Sequence, residues 1–395
     1  LHTTDMESNT YHCLSLGSAT VRLHRQITSG TGIATGASKG AKSDPHTLAR
    51  LFSNVCAVLV HNCESDFVQV HDAVGTTLKR VAGECMDPTT VQEALAYCLE
   101  KQQRGGGRKR KTGTEVAASS FAGQEIPHPI VIQIVDTLQT LLQQRYSKSW
   151  SHVIATARTL MERLRSAGAA IGVKLGMSGQ DVCSVICSSL VSRIVVLYES
   201  VESGEVKVPA ATHTDIGDFM STVVKCIGFS NFITAVPFSH PESPSYVGID
   251  EKREWILHVL HASLRLAPAS LCDFAVCVLS TISTCQDAIA NPSRDNMTSG
   301  QVQRTKTRVL QLWSLFPDFC YYAPTDVPQF FPRLLSELEG ALKNGNNGLE
   351  GSKEIVAQVL SGLTNLAQGA MGRACSSAPV AEMEGQLAKV NIYNR

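Results

Sequence analysis

The residues with the best claim to chemistry are few. His258 and His261, in "WILHVLHASL", stand one helical turn apart, a spacing at which two imidazoles can share a metal ion. No third ligand follows at a sensible spacing, so one histidine at a helix seam and one in solvent is the better reading. Cys183 and Cys187 lie four apart in the apolar run "DVCSVICSSL", where packing accounts for them. The stretch "GASKGAKS" (36–43) approaches a phosphate-cradling loop, but Ala41 stands where a glycine must precede Lys42 and Ser43, and no strand comes before it. "GTGIATG" carries Thr35 at the third glycine of a dinucleotide fingerprint. A nucleophilic Cys–His pair brought together in space has no local support. No catalytic residue, metal or cofactor is expected.

The stronger feature is cationic. Arg104 and the run Arg108, Lys109, Arg110 and Lys111 flank three glycines, which makes an exposed basic segment. It reads as a nuclear-import signal or an RNA phosphate contact, against the plainer reading of a solvated linker. A second group, Arg304, Lys306 and Arg308, is spaced to spread around a helix and makes a poorer patch.

The elements that must carry these residues are helical. The chain has 395 residues, 43% apolar and 18% charged, enough to bury a long core. Lys plus Arg equals Asp plus Glu at 35 each, so any pull toward nucleic acid is local. No uninterrupted run of about 18 apolar residues occurs, and no membrane partner is expected. The 13 cysteines include no C-x-x-C pair and read as reduced, buried hydrophobes of an intracellular protein. Asn296 in the sequon "NMT" is then a chance match. The opening lacks Met and a signal pattern, which reads as a piece of a longer or processed protein.

Residues 1–44, rich in Ser, Thr and Gly, are expected to be disordered or loosely packed. A helical segment follows over 45–103, then the basic Gly-rich linker 104–127. A helical array spans 128–372, with helices near 178–201, 214–227, 251–266, 269–286, 301–316, 327–343 and 352–368; residues 373–395 are of uncertain order. Strand-like alternation is nearly absent. Several helix pairs recur at gaps near 50 residues, slightly longer than HEAT or armadillo units. The expected fold is all-α, a HEAT/armadillo-like α-solenoid of stacked antiparallel helix pairs.

One joint stands out, "LWSLFPDFCYYAPTD" (312–326). Val309, Leu312, Trp313 and Phe316 share one helical face, and Pro317 is expected to end that helix within about a turn. Thr325 or Asp326 is expected to cap the next helix, with Pro328 in its first turn and an apolar face through Leu334, Leu335, Leu338 and Leu342. The aromatics between are expected to cover the seam.

This joint resembles the ribosomal RNA-processing protein 12 family of HEAT-repeat ribosome assembly factors. The matching residues are Leu312, Trp313, Leu315, Pro317, Phe319, Cys320, Pro324, Thr325 and Asp326. Upstream, Ala235, Val236, Pro237, Trp255, Ile256, Leu257 and Leu260 fit the same pattern, and the resemblance covers about 225–370. Tyr321 and Tyr322 depart from it by extending the joint. The resemblance implies a non-catalytic nuclear and nucleolar scaffold, part of a large ribonucleoprotein. It would bind pre-ribosomal RNA and assembly proteins during small-subunit maturation and pre-ribosome export. The alternative is an importin-like nuclear transport carrier on the same architecture, which would engage the nuclear transport machinery.

Overall fold

The computed structural model describes residues 2–28, 45–106, 128–238, 253–266, 269–293, 297–322, 324–344 and 352–377. Every regular element among them is helical. In chain order they are α1 (His2–Thr28), α2 (Pro45–Asn62), α3 (Val68–Glu84), α4 (Pro88–Gly106), α5 (Ile130–Leu141), a 3₁₀ turn (Gln144–Ser149), α6 (Trp150–Leu175), α7 (Gly179–Glu202), α8 (Ala210–Ile227) and α9 (Phe229–Ala235). Then come α10 (Trp255–Leu264) and α11 (Leu271–Asp273), which runs through a π-helical stretch (Phe274–Leu279) into α12 (Ser280–Ala290). The last are α13 (Ser299–Trp313), α14 (Phe316–Cys320), α15 (Val327–Asn344) and α16 (Ser352–Ser377). The fold is all-α, built of stacked helix pairs.

The chain divides into two compact units, residues 1–231 and 232–395. This division does not follow the linker read at 104–127. In the first unit, contacts pass from α1 to α3, α6 and α8 along one layer, and from α2 to α5 and α7 along the other. α6 packs against α7, and α4 packs on both. The periodicity explains the order: Val131, Ile134, Val135 and Leu138 on α5, and Trp150, Leu160, Met161 and Leu164 on α6, are all buried. Each fully buried side chain of this size contributes about 1.5–3 kcal/mol relative to exposure. In the second unit α12 packs on α13, and α16 packs on α13, α14 and α15.

Residues 2–28, read as disordered or loosely packed, form a helix whose face lies on α3. The composition misled because that face is built for close approach rather than for bulk. Cys13, Gly17, Thr20, Val21 and His24 line it. A Cβ on Gly17 would stand 2.7 Å from Thr77 Cγ2, so only glycine lets the two helices come this near. Thr77 Oγ1 donates to the Cys13 carbonyl at 2.8 Å, and His24 Nε2 meets Asp87 Oδ2 at 3.1 Å. Residues 29–44, with "GASKGAKS" and "GTGIATG", lie outside the described residues.

Two helices, Gly179–Glu202 and Leu271–Ala290, are long and apolar enough by composition to cross a bilayer. The first spends its apolar face on α5, α6 and α8, with Cys183, Ile186, Cys187, Leu190, Val191 and Ile194 buried.

Candidate functional site

The 312–326 joint is the best-defined constellation of the second unit. Thr298 and Gln301 make a reciprocal capping box that starts α13. That helix ends at Trp313, before Pro317, which sits instead in the first turn of the short α14. A proline has no N–H to lose there. The expected order, helix then terminating proline, is therefore corrected: Pro317 opens an element rather than closing one.

Phe274, from the π-helical stretch, fills the centre of the seam. Its ring lies 6.0 Å from Trp313, 5.1 Å from Phe316 and 5.3 Å from Phe319, centroid to centroid. Such pairs contribute about 0.5–1.5 kcal/mol each beyond their burial. Leu312, Leu315, Phe319 and Cys320 are buried around them, and Asn365 of α16 donates to the Pro317 carbonyl at 2.9 Å. Trp313, Phe316 and Phe319 cover the seam as read from the sequence. Tyr321 and Tyr322 do not: both rings are exposed.

Two carboxylates lock the joint to the preceding helices. Asp318 is 4% exposed and accepts from Arg265 Nε at 2.8 Å. Its other oxygen bonds His261 Nδ1, while His261 Nε2 lies 3.0 Å from Ser314 Oγ. The Ser314 hydroxyl in turn donates to the Gln311 carbonyl. Burial pushes the Asp318 carboxyl up, but the bonds from His261 and Arg265 outweigh it and hold it below the usual range. Thr325 or Asp326 was expected to cap α15, and the Asp326 side chain does not. Its side chain caps the start of α11 instead, accepting from Ser270 Oγ (2.7 Å), Leu271 N (3.2 Å) and Cys272 N (3.0 Å). Its backbone carbonyl serves α15, accepting from Gln329 and Phe330. Burial raises Asp326, and the bonds led by Ser270 outweigh it to a net lowering. Beside it, burial and then the Asp326 charge push Asp273 up to about 6.

The other sequence-derived residues fall as follows. His258 is exposed and His261 half-buried, the division read from their spacing. Arg304 and Lys306 are exposed, while Arg308 is 1% exposed and bonds Glu254 Oε1 through Nη2 at 3.1 Å, so the three do not form one patch. Arg104 lies near the end of α4; Arg108, Lys109, Arg110 and Lys111 lie outside the described residues, as does Asn296. In the upstream half of the family pattern, Val236, Trp255, Ile256, Leu257 and Leu260 are buried, and the Pro237 carbonyl accepts from Arg253 at 2.6 Å. Reading the sequence missed Asp318 and its partners. Their only local signal is the Pro-Asp dipeptide, which suits a helix start.

Among the described residues, the buried cysteines Cys56, Cys63, Cys85, Cys226 and Cys285 are not primed as nucleophiles. Burial pushes the thiols of Cys56, Cys63 and Cys285 up to about 11, and those of Cys85 and Cys226 to about 12, far from thiolate chemistry. Cys183 packs with its Sγ 3.6 Å from the Met161 carbonyl. Among the described residues, no group of three or more His, Cys, Asp or Glu is arranged to hold a metal ion. In the first unit a groove of about 1190 Å³ opens between α2 and α5. Two ion pairs lie in its lining, His128 with Asp136 at 3.4 Å and Arg145 with Glu64 at 3.8 Å, and these four charges face one another and not a ligand.

No curated protein matches the chain. The family described as ribosomal RNA-processing protein 12, HEAT repeats, matches residues 64–390, a span that contains the 225–370 reached by the motifs alone and begins well before it. With the helix pairs and the joint in place, that match covers most of the chain, which belongs to the ribosomal RNA-processing protein 12 HEAT-repeat family.

Proposed function

We propose that this chain is a non-catalytic scaffold of ribosome biogenesis that binds pre-ribosomal RNA and assembly proteins, in the nucleolus and nucleus, during small-subunit maturation and pre-ribosome export. The family match over 64–390 carries this reading and ties the chain to ribosomal RNA processing. The joint supports it: its carboxylates and imidazole are spent on holding helices together. A stack of helix pairs offers length and many weak contacts, the means by which solenoids bind extended partners. The segment Arg104, Arg108, Lys109, Arg110 and Lys111 would add salt-sensitive attraction. Five phosphate contacts on single-stranded RNA give a slope of about −3.5 in log K against log salt.

Sedimentation of the tagged protein from cell extract tests the scaffold. Co-migration with pre-ribosomal particles that ribonuclease abolishes is the expected result. Failure to enter such particles, with binding to the nucleotide-loaded transport GTPase, would favour the importin-like carrier. Replacing Arg108–Lys111 with alanine is expected to reduce nuclear accumulation or flatten the salt slope of RNA binding. If neither changes, the segment is a linker.

A further inference from the structure

We infer that Tyr321, Tyr322 and Arg265 form a platform on which unpaired RNA bases stack, an inference that rests on the RNA-binding reading above. The observation behind it is a contrast within one short stretch. Trp313, Phe316 and Phe319 are packed out of water, whereas Tyr321 and Tyr322 are 56% and 44% exposed. Two adjacent part-exposed aromatic rings offer apolar contact area with a polar edge.

The rings are also oriented. Their centroids lie 5.0 Å apart with planes at 86°, and the Tyr322 hydroxyl donates to the Arg265 carbonyl at 2.8 Å. That bond ties the platform to the end of α10. The edge-to-face contact turns the two rings in different directions, and the open part of a ring face suits a base of any identity, because every base has a π face. The cation beside them is equally fixed. Arg265 bonds the buried Asp318 through Nε, yet its side chain is 67% exposed, which leaves the far edge of the guanidinium open to a phosphate. Asp318 itself is buried, and Asp326 is turned to the start of α11, so neither carboxylate of the joint fronts the rings. A base in a duplex keeps its faces inside the stack, so this surface takes single strands and not double helices.

The test uses the full chain and a fluorescently labelled oligouridine, with an RNA duplex of equal length beside it. The double variant Tyr321→Ala/Tyr322→Ala is expected to bind the single strand about fivefold or more weakly for each stacked base lost. Its salt slope should stay that of the wild type, because no phosphate contact is removed. Tyr321→Phe should keep the wild-type affinity, since stacking needs the ring and not the hydroxyl, and the Tyr322 bond to the Arg265 carbonyl stays in place. Arg265→Gln should instead lower the slope by about 0.7. Tyr321→Ala alone, at the more exposed ring, keeps the hydroxyl bond of Tyr322 and serves should the double variant fold poorly. Unchanged affinity in the alanine variants overturns the platform while leaving the RNA reading intact. So does an equal loss for single strand and duplex, or a loss confined to capture of an assembly protein. If the wild type binds no single-stranded RNA, the platform and the RNA reading fall together.

Discussion

Between α6 and α7 the chain reverses in three residues, and most of what holds the turn is local, although Asn231 Nδ2 also donates to Asp181 Oδ1 at 3.0 Å from 50 residues on. Gly176 takes a left-handed φ of 67°, and the Met177 amide donates to the Gly172 carbonyl at 3.0 Å. Ser178 and Asp181 then cap α7 reciprocally, with Ser178 N to Asp181 Oδ2 at 2.9 Å and Asp181 N to Ser178 Oγ at 3.1 Å. The joint from α13 to α15 works by the opposite principle. Its two carboxylates bind partners 53 to 57 residues earlier in the chain. A local turn fixes the direction of one helix; a long-range joint fixes the packing of two helix pairs on one another. The first can form before its surroundings do. The second exists only when the stack is assembled, so its loss should loosen several helices together.

The largest test of that difference is Phe274→Ala. Removing a buried aromatic ring typically costs about 3–5 kcal/mol. Hydrogen exchange in the full chain should show protection falling about a hundredfold or more, in α11, α12 and α14 alike. Loss restricted to α11 would mean that the aromatic cluster does not couple these helices.

Asp326→Ala comes next. It leaves the Leu271 and Cys272 amides without their acceptor, at a cost of about 2 kcal/mol. The carboxyl is held below its usual value, so its contribution is complete above about pH 4. It is lost as pH falls through the lowered value. Protection of α11 should therefore fall with acid in the wild type and not in the variant. Protection that falls with acid equally in both would place the acid sensitivity elsewhere.

Asp273 carries the opposite sign. Its carboxyl titrates near 6 in the fold and near 4 in the unfolded chain, so its ionisation opposes folding as pH rises between those values. Asp273→Asn is expected to stabilise the α11 region at pH 7 by about 1 kcal/mol, after allowance for solvent screening. The gain should vanish below pH 4. A variant less stable than the wild type at pH 7 would show that the charge helps the helix start more than burial opposes it.

These particulars show why some of the structure was legible in the sequence. The helices were, because apolar spacing and caps such as Thr298 with Gln301 are local patterns. The packing of Trp313, Phe316 and Phe319 into the seam was legible for the same reason. The burial of α1 was not, because its contact face relies on Gly17 and Thr20, which composition counts toward disorder. Nor were the roles of Asp318 and Asp326. Their types suit helix starts, but no local rule says which helix, and a chain read in order favours the one that follows.

The smallest effect is expected where the reading was easiest. Ser178→Ala removes the side-chain half of the α7 cap and should cost about 0.5–1 kcal/mol. In that variant the Asp181 carboxylate can still accept from the backbone amide at position 178, and the Gly176 turn is untouched, so the defect has redundant cover. Only the first turn of α7 should exchange faster, by about fivefold or less, with the rest of that helix unchanged. The same measurement on Asp326→Ala should reach beyond the first turn of α11, into the aromatic seam and α14. If Ser178→Ala loosens α7 along its length, the α6–α7 turn is no more local than the joint, and the distinction between the two fails.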